Sequence, residues 1–495
     1  MRTVSAVSET PELRHDLAAL VRQLLEESPR SSDPVGAPIR EHLGLPEDEL
    51  VVHAEQLSDF ELPNLQLALD AVLGRPGWEG RVLGVTGLGG GHYPGLGLGD
   101  LMANQHWGIG PPEYVNAPVG PGRTLPCLVW AVLLVTSPDG PIAVFVQKGD
   151  PHGPGQGGLT VQAAARDPEL ASGFLADLRR LMEEHDVFRG QLLTIEVDRG
   201  GSRRVVFLER PDMDASELVL PEGLLDRVVR HVVGPTQYRE ELLAKGRHLA
   251  RGLLLWGPPG TGKTHTVRYL TGLLTDATVV VLSGPSLGFV GAFGNLARRL
   301  APAVVVLEDV DLVAQERSFG PFGSSPVLFE LMNEMSGLAA DADVAFVLTT
   351  NRPDALEPAL AARPGRVDLA LEIPLPAAAE RRRLLELYGR GLDLDPGVFD
   401  DAVGRTEGMT ASFFRELLRK AAVGALEAGR ERVGAEDITA ALDELLHETG
   451  ALTRVLLGSE APGAGPAPQP HDWMQGMAGG GSISARSHTV LRPSR

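Results

Sequence analysis

The sequence predicts an α/β domain, with a parallel sheet flanked by helices, in the centre of the chain. It also predicts an α+β domain before this one and a helical region after it. From Gly252 to about Pro376, short apolar runs alternate with helical patterns, as they do when crossover helices join parallel strands. Residues 377–448 have helical periodicity, whereas residues 1–216 mix candidate hairpins with amphipathic helices.

The α+β prediction for residues 1–216 depends on two hairpins and one helix. One hairpin comprises the apolar runs Val129–Val135 and Ile142–Gln147, which are joined by a Ser-Pro-Asp-Gly turn. A second is predicted over 191–208, and Pro168–His185 has the spacing of an amphipathic helix. The glycine-rich segment Gly84–Gly99 has no following helix, so we expect a mobile loop rather than a dinucleotide-binding turn.

Composition excludes several classes of protein. The hydrophobic fraction of 43% is enough to build a core, so the chain as a whole is not expected to be disordered. A net charge of −20 argues against general affinity for nucleic acid or anionic lipid, because phosphate binding depends on Lys and Arg. No apolar stretch approaches the roughly 20 residues that span a bilayer. With Cys127 as the single cysteine, these features predict a soluble, cytoplasmic protein.

A glycine-rich loop carries the strongest functional motif. GPPGTGKT, residues 257–264, matches G-x-x-x-x-G-K-[ST], follows the apolar strand Leu253–Leu255 and begins a helix. In such loops, backbone N–H groups and the helix N-terminus bind phosphate. Lys263 is expected to reach the β- and γ-phosphates of ATP, and Thr264 to hold Mg²⁺. The predicted ATP-contacting residues are Gly257, Pro258, Pro259, Gly260, Thr261, Gly262, Lys263, Thr264 and His265.

Two carboxylates follow the third apolar strand of this region. The apolar run Val304–Leu307 leads directly into Glu308 and Asp309. Acidic residues at the end of a strand near a P-loop are the groups expected to hold Mg²⁺ and to activate water. An ordinary acidic loop is the alternative interpretation.

Residues 349–368 resemble the second region of homology of AAA-type ATPases. The resemblance lies in Thr349–Asp354, Leu356–Leu360 and Ala362–Asp368, and with the two motifs above it extends from about Leu218 to Leu446. It implies an α/β P-loop ATPase domain with a C-terminal helical lid. It also implies that Asn351 is a polar sensor near the γ-phosphate.

The same resemblance implies that Arg363 and Arg366 are arginine fingers that reach the site of a neighbouring subunit. The enzyme would then be a ring, and by resemblance a homo-hexamer. A surface pair of salt-bridged arginines is the alternative. The chain departs from the family pattern at Ala361-Ala362, where one residue is usual, and at Glu308-Asp309, where the order is normally Asp then Glu. By position Glu308 takes the metal-side role and Asp309 the base role, but which carboxylate polarises water stays open.

A candidate substrate-binding loop follows the second core strand, Ala277–Leu282. Phe289-Val290-Gly291 resembles the aromatic-hydrophobic-glycine triplet that faces the central pore in many AAA motors. An aromatic residue there could hold an extended polypeptide through apolar contact. Alternatively, Phe289 packs in the core against the following helix.

We divide the chain into an N-terminal domain (1–216), an ATPase domain (217–376), a lid (377–457) and a disordered tail (458–495). The lid turn Gly408–Ser412 resembles one that packs near adenine. No H-E-x-x-H motif occurs, which argues against a fused zinc protease. The leading hypothesis is a ring-forming ATPase that remodels or unfolds proteins and recognises a substrate or adaptor through residues 1–216. A nucleotide-switched scaffold and, less favoured by the charge, a nucleic-acid motor or loader are the alternatives.

Overall fold

The computed structural model describes residues 33–45, 49–87, 96–103, 107–149, 158–197, 203–311, 342–354, 367–394 and 397–447. Within these ranges the chain contains two large sheets flanked by helices. The α/β domain with a helical lid and the preceding α+β domain are therefore confirmed as fold classes. The predicted tail, 458–495, lies outside the described residues.

The first sheet is antiparallel and belongs to the N-terminal domain. Its strands are β1 (Val52–Leu57), β2 (Glu79–Gly87), β3 (Trp107–Gly110), β4 (Glu113–Gly120), β5 (Arg123–Ser137), β6 (Gly140–Lys148) and β7 (Leu159–Ala165). They lie in the order β1-β7-β6-β5-β2-β3, with β4 also paired to β5. The predicted hairpin is confirmed, since Val135 lies opposite Ile142 and Ser137 opposite Gly140.

Helices cover both faces of this sheet. Leu62–Leu73 and Pro168–Glu184 pack in one hydrophobic core, and Gly36–Leu43 and Leu98–Ala103 pack in another. Pro168–Glu184 begins as its sequence predicts, because the carboxylate of Asp167 accepts a hydrogen bond from the Glu169 N–H at 3.0 Å. Alternate residues of β5 and β6 therefore have buried partners on both sides.

The second sheet contains the predicted strands of the ATPase domain. Its strands are β8 (Leu192–Val197), β9 (Arg203–Leu208), β10 (Arg251–Trp256), β11 (Thr278–Ser283), β12 (Ala303–Glu308), β13 (Val344–Thr350) and β14 (Leu369–Glu372). Their order is β14-β10-β13-β12-β11-β8-β9, and the β11, β12 and β13 strands are parallel.

The β8–β9 hairpin adds to the edge of this second sheet. Leu192 lies opposite Val279, and the β8 and β11 strands run parallel. Sequence analysis predicted the hairpin itself but assigned it to residues 1–216. Local sequence patterns specify a hairpin. Its place in the second sheet depends on pairing with strand β11, which lies more than eighty residues later in the chain.

Helices connect and follow the strands of the second sheet. Those before the lid are Leu224–Val232, Gly234–Gln237, Arg239–Ala244, Lys263–Leu273 and Val290–Arg299. The lid contains Ala378–Tyr388, Asp400–Arg405, Ala411–Glu427 and Ala435–His447, and the two-stranded ladder of β15 (Asp393–Leu394) and β16 (Arg432–Val433). Phe413, Phe414 and Leu417 lie in the lid core. None of the helices in the described ranges combines the length and apolar character that a bilayer span requires.

Candidate nucleotide site

The loop between strand β10 and the Lys263–Leu273 helix has the backbone of a phosphate-binding loop. Gly257, Gly260 and Gly262 have φ angles of 147°, 78° and 115°. Residues with a side chain rarely adopt such angles, so the glycines in the motif are required by the conformation. The loop ends at the N-terminus of a helix, where backbone N–H groups favour an anion.

Close packing explains two of these glycines further. A Cβ atom at Gly257 would collide with the backbone carbonyl of Ile373. At Gly260 it would lie 3.0 Å from Thr410 Oγ1 and still closer to Ser412 Oγ. The Ser412 N–H donates to the Gly260 carbonyl at 3.3 Å. The lid turn that sequence analysis identified at Gly408–Ser412 thus contacts the loop directly.

Lys263 is enclosed by the loop that carries it. Its side chain is 6% exposed, and Nζ donates to the carbonyl oxygens of Gly257 and Pro258, both at 2.8 Å. Thr261 Oγ1 donates to the Pro258 carbonyl at 2.9 Å. The ammonium group is therefore held within the loop, where phosphate oxygens can replace the carbonyls. Thr264 and His265, at the start of the helix, are exposed.

Glu308, at the end of strand β12, provides a candidate metal ligand. Burial raises the pKa of its carboxyl group, the Asp309 charge raises it further, and a hydrogen bond from the Thr264 hydroxyl opposes both effects. Its Oε1 atom is shielded from solvent and has no hydrogen-bond partner among the described residues. A buried carboxylate oxygen beside a threonine hydroxyl fits Mg²⁺, which prefers oxygen ligands.

Asp309 lies beside the predicted sensor. Asn351 Nδ2 donates to Asp309 Oδ1 at 3.3 Å, and the Asp309 N–H donates to Thr349 Oγ1 at 3.0 Å. Asp309 has a φ of 52°, and it is the one non-glycine residue in the described ranges with a positive φ. Such strained positions persist where surrounding contacts hold them, often in active sites.

Asp311 is a positioning residue that sequence analysis did not assign. It is 4% exposed, and its Oδ1 accepts hydrogen bonds from Thr350 Oγ1 at 2.9 Å and from the Asn351 N–H at 3.1 Å. These bonds fix the end of strand β13 and therefore the backbone position of Asn351. A third acidic residue two positions after Asp309 was the available signal.

Other predicted site residues are placed differently or lie outside the described ranges. Arg363 and Arg366 fall in 355–366, which the structure does not describe, so their finger role stays a prediction. Phe289 ends the 3₁₀ helix Gly284–Phe289 and is partly exposed. Val290 begins the next helix and is 0% exposed, so this conformation does not offer its side chain to a substrate.

These elements define the class of the protein. A P-loop between a strand and a helix, with Glu308 and Asp309 at the end of a parallel strand, is the arrangement of P-loop nucleotide hydrolases. Residues 253–375 match the family model of the AAA ATPases, the "ATPase family associated with various cellular activities". Residues 253–375 are therefore an AAA-type P-loop ATPase domain, and ATP hydrolysis is the reaction that this domain assignment carries.

Curated relatives support the assignment. The chain is 33% identical over 286 residues to the ATP-dependent zinc metalloprotease FtsH of Acidothermus cellulolyticus, a match that covers 53% of this chain and 41% of the relative. It is 31% identical over 320 residues to FtsH 2 of Symbiobacterium thermophilum, covering 57% and 52%. A chloroplastic FTSH 1 of Oryza sativa is 28% identical over 359 residues, covering 64% and 50%. The chain thus spans about half the length of the curated relatives it matches.

Proposed function

We propose that this protein uses magnesium-dependent ATP hydrolysis to remodel or unfold a protein substrate. The observation that carries the proposal is the contact between Asp309 and Asn351, held at the ends of adjacent strands by Thr349 and Asp311. Asp309 and Asn351 are hydrogen-bonded to each other at 3.3 Å, so one water molecule beside the pair can contact both the carboxylate and the amide. The group that accepts a proton and the group that orients the water are then already in place.

Each residue has a defined task in this reaction. The N–H groups of the P-loop and the ammonium of Lys263 bind the phosphates of ATP. Thr264 and Glu308 would hold Mg²⁺, which when bound neutralises phosphate charge. Asp309 accepts the proton of the attacking water, and Asn351 orients that water. Burial raises the pKa of Glu308, and a cation bound beside it would oppose that effect by stabilising the charged carboxylate.

Remodelling of proteins is supported by the names of the relatives. The relatives are named ATP-dependent proteases, so their ATP-consuming regions act in reactions on proteins. The H-E-x-x-H motif does not occur in the 495 residues, so we do not include peptidase activity in the proposal. We extend the proposal to a homo-hexameric ring through Arg363 and Arg366, with substrate or adaptor recognition by residues 1–216.

Steady-state ATPase assays with an unfolded probe test the proposal. Casein should stimulate phosphate release several-fold, while double-stranded DNA at the same mass concentration should not. Turnover that casein leaves unchanged would contradict the remodelling role, and stimulation by DNA alone would favour a nucleic-acid motor. Stable ATP-dependent capture of casein with negligible turnover would favour a nucleotide-switched scaffold.

A further inference from the structure

Arg299 ends the Val290–Arg299 helix of the ATPase domain and binds two carboxylates of the N-terminal domain. Its Nη1 lies 2.5 Å from Glu61 Oε1, and its Nη2 lies 3.0 Å from Asp186 Oδ2. Glu61 and Asp186 are each 7% exposed. Glu61 precedes the Leu62–Leu73 helix, and Asp186 follows Pro168–Glu184. One guanidinium group therefore joins the ends of two N-terminal helices to one helix of the ATPase domain.

Aromatic side chains surround this ionic cluster. The Phe60 ring lies 5.7 Å from that of Phe293, on the same helix as Arg299, and 5.9 Å from that of Phe188. Phe188 in turn stacks on Phe207 at 5.7 Å. Such ring pairs add to the hydrophobic stabilisation of an interface. Since buried charges need partners, the carboxylates and Arg299 hold one another in this arrangement.

The segment between the two domains is also anchored. Residues 210–216 have the polar, proline-containing sequence RPDMDAS that is typical of a linker. The Arg210 guanidinium donates to the backbone carbonyls of Thr271 at 2.7 Å, Gly190 at 3.0 Å and Ala277 at 2.7 Å. With strand β8 paired to β11, the N-terminal domain is attached to the ATPase sheet at several points instead of by a free tether.

The helix that ends at Arg299 leads back to the nucleotide site. Its N-terminus follows the Gly284–Phe289 segment, which in turn follows strand β11. Ser283, the last residue of β11, lies opposite Glu308 in the parallel ladder. A continuous run of regular secondary structure therefore connects the candidate Mg²⁺ ligand to the carboxylates of the N-terminal domain. Physical continuity of this kind permits coupling, which must then be measured.

We propose that Arg299 is a positioning residue that couples nucleotide binding to the N-terminal domain. Nucleotide bound beside Glu308 shifts the Val290–Arg299 helix, and Arg299 passes that shift to Glu61 and Asp186. This inference rests on the proposed ATP site but not on the nature of the substrate. Because coupling between binding sites is reciprocal, a partner that binds the N-terminal domain would change nucleotide affinity by the same factor.

Hydrogen exchange of the full-length chain tests this coupling. A non-hydrolysable ATP analogue with Mg²⁺ should slow amide exchange at residues 59–73 of the wild-type protein. Arg299→Ala should lose most of that slowing, and Glu61→Gln should lose part of it. Arg298→Ala is the matched control, because Arg298 is bonded to Asn295 on its own helix. Equal nucleotide-dependent slowing in Arg299→Ala and Arg298→Ala would overturn the proposal.

Further readouts separate coupling from a merely structural role. Arg299→Lys keeps a positive charge that can reach one carboxylate, so it should restore part of the slowing. Basal kcat and the KM for ATP should change less than about twofold in Arg299→Ala, since the carboxylates that it binds in the described part of the chain, Glu61 and Asp186, belong to the N-terminal domain. If Arg299→Ala lost ATPase activity together with the nucleotide-dependent slowing of exchange, the variant would have a folding defect, and this would overturn the proposal. Nucleotide binding without any change at residues 59–73 of the wild type would overturn coupling alone, whereas absent binding would overturn the proposed function as well.

Discussion

Lys263 satisfies its ammonium group with two carbonyls of its own loop. Phosphate oxygens are stronger partners than neutral carbonyls, because both groups are then charged. The side chain is already enclosed, so little rotamer freedom remains to be lost when ATP binds. The loop conformation thus prepares this charge for the nucleotide.

Lys263→Ala should weaken ATP binding by roughly 10- to 150-fold, since a hydrogen bond to a charged group contributes about 1.5–3 kcal/mol. Isothermal calorimetry with a non-hydrolysable analogue and Mg²⁺ measures the change. Lys245→Ala, at an exposed position outside the loop, is the control and should bind as the wild type does. Wild-type affinity in Lys263→Ala would refute the assignment of the loop.

Glu308 and Asp309 should give different phenotypes. Asp309→Asn should bind ATP but hydrolyse it on the order of 10²- to 10⁴-fold more slowly, because it removes the proposed general base. Glu308→Gln should instead raise the Mg²⁺ concentration needed for half-maximal activity. Phosphate release measured across a Mg²⁺ titration distinguishes the two. An exchange of these phenotypes would show that the roles follow residue type instead of position, with Glu308 as the base and Asp309 on the metal side.

The sequence motifs predicted which residues form the site. They did not predict all of the contacts that hold those residues in place. Lys263 and Glu308 were predicted because phosphate and Mg²⁺ binding require these residue types at these places, and Asn351 was predicted from the resemblance to AAA-type ATPases. Asp311 was not, since its role depends on a hydrogen bond to a strand that begins more than thirty residues later. Val290 was predicted at a substrate surface, but its burial depends on tertiary packing that three residues cannot specify.

At the scale of elements, the P-loop and the lid turn form one packed unit. Gly260 is the point of contact, because its carbonyl binds the Ser412 N–H and its Cα faces the Thr410 and Ser412 hydroxyls. The apolar strands around this unit were predictable from continuous runs such as Val304–Leu307, as expected for parallel strands buried on both faces. The addition of β8 and β9 to the sheet was not, because strand pairing is non-local.

Gly260→Ala should disturb this contact in addition to straining the backbone. Alanine at a positive φ costs on the order of 1 kcal/mol or more, and here a Cβ also displaces the lid hydroxyls. Gly246→Ala is the matched control, since Gly246 has a φ of 66° with nothing within 4 Å of its Cβ. Urea unfolding and nucleotide titration should show a larger loss in Gly260→Ala. Equal losses of stability and affinity in the two variants would contradict the contact.

At the scale of the whole molecule, a finger from Arg363 or Arg366 requires a second subunit. Head-to-tail contacts of one chain with another close into rings when the rotation permits. ATP at each junction would then favour assembly by mass action. Sequence resemblance alone supports these two residues, so assembly must be tested by function.

Mixing two inactive variants should restore activity if the fingers act between subunits. Arg366→Ala and Lys263→Ala subunits, combined at equal concentration, place a wild-type finger beside a wild-type P-loop at some junctions. A mixture of Lys263→Ala and Asp309→Asn is the control, because neither subunit then carries a complete P-loop and base. Phosphate release in the first mixture only is expected. Full activity of a species of monomer mass would exclude fingers that act between subunits.

The most direct test of the central claim is the unfolding of a stable protein at the expense of ATP. A green fluorescent protein with an unstructured tail, mixed with a trap for unfolded chains, reports unfolding as loss of fluorescence. Fluorescence should fall with wild-type protein and ATP, and should not fall with Asp309→Asn or with a non-hydrolysable analogue. Unchanged fluorescence while the wild-type protein hydrolyses ATP at its full rate would contradict the proposed function.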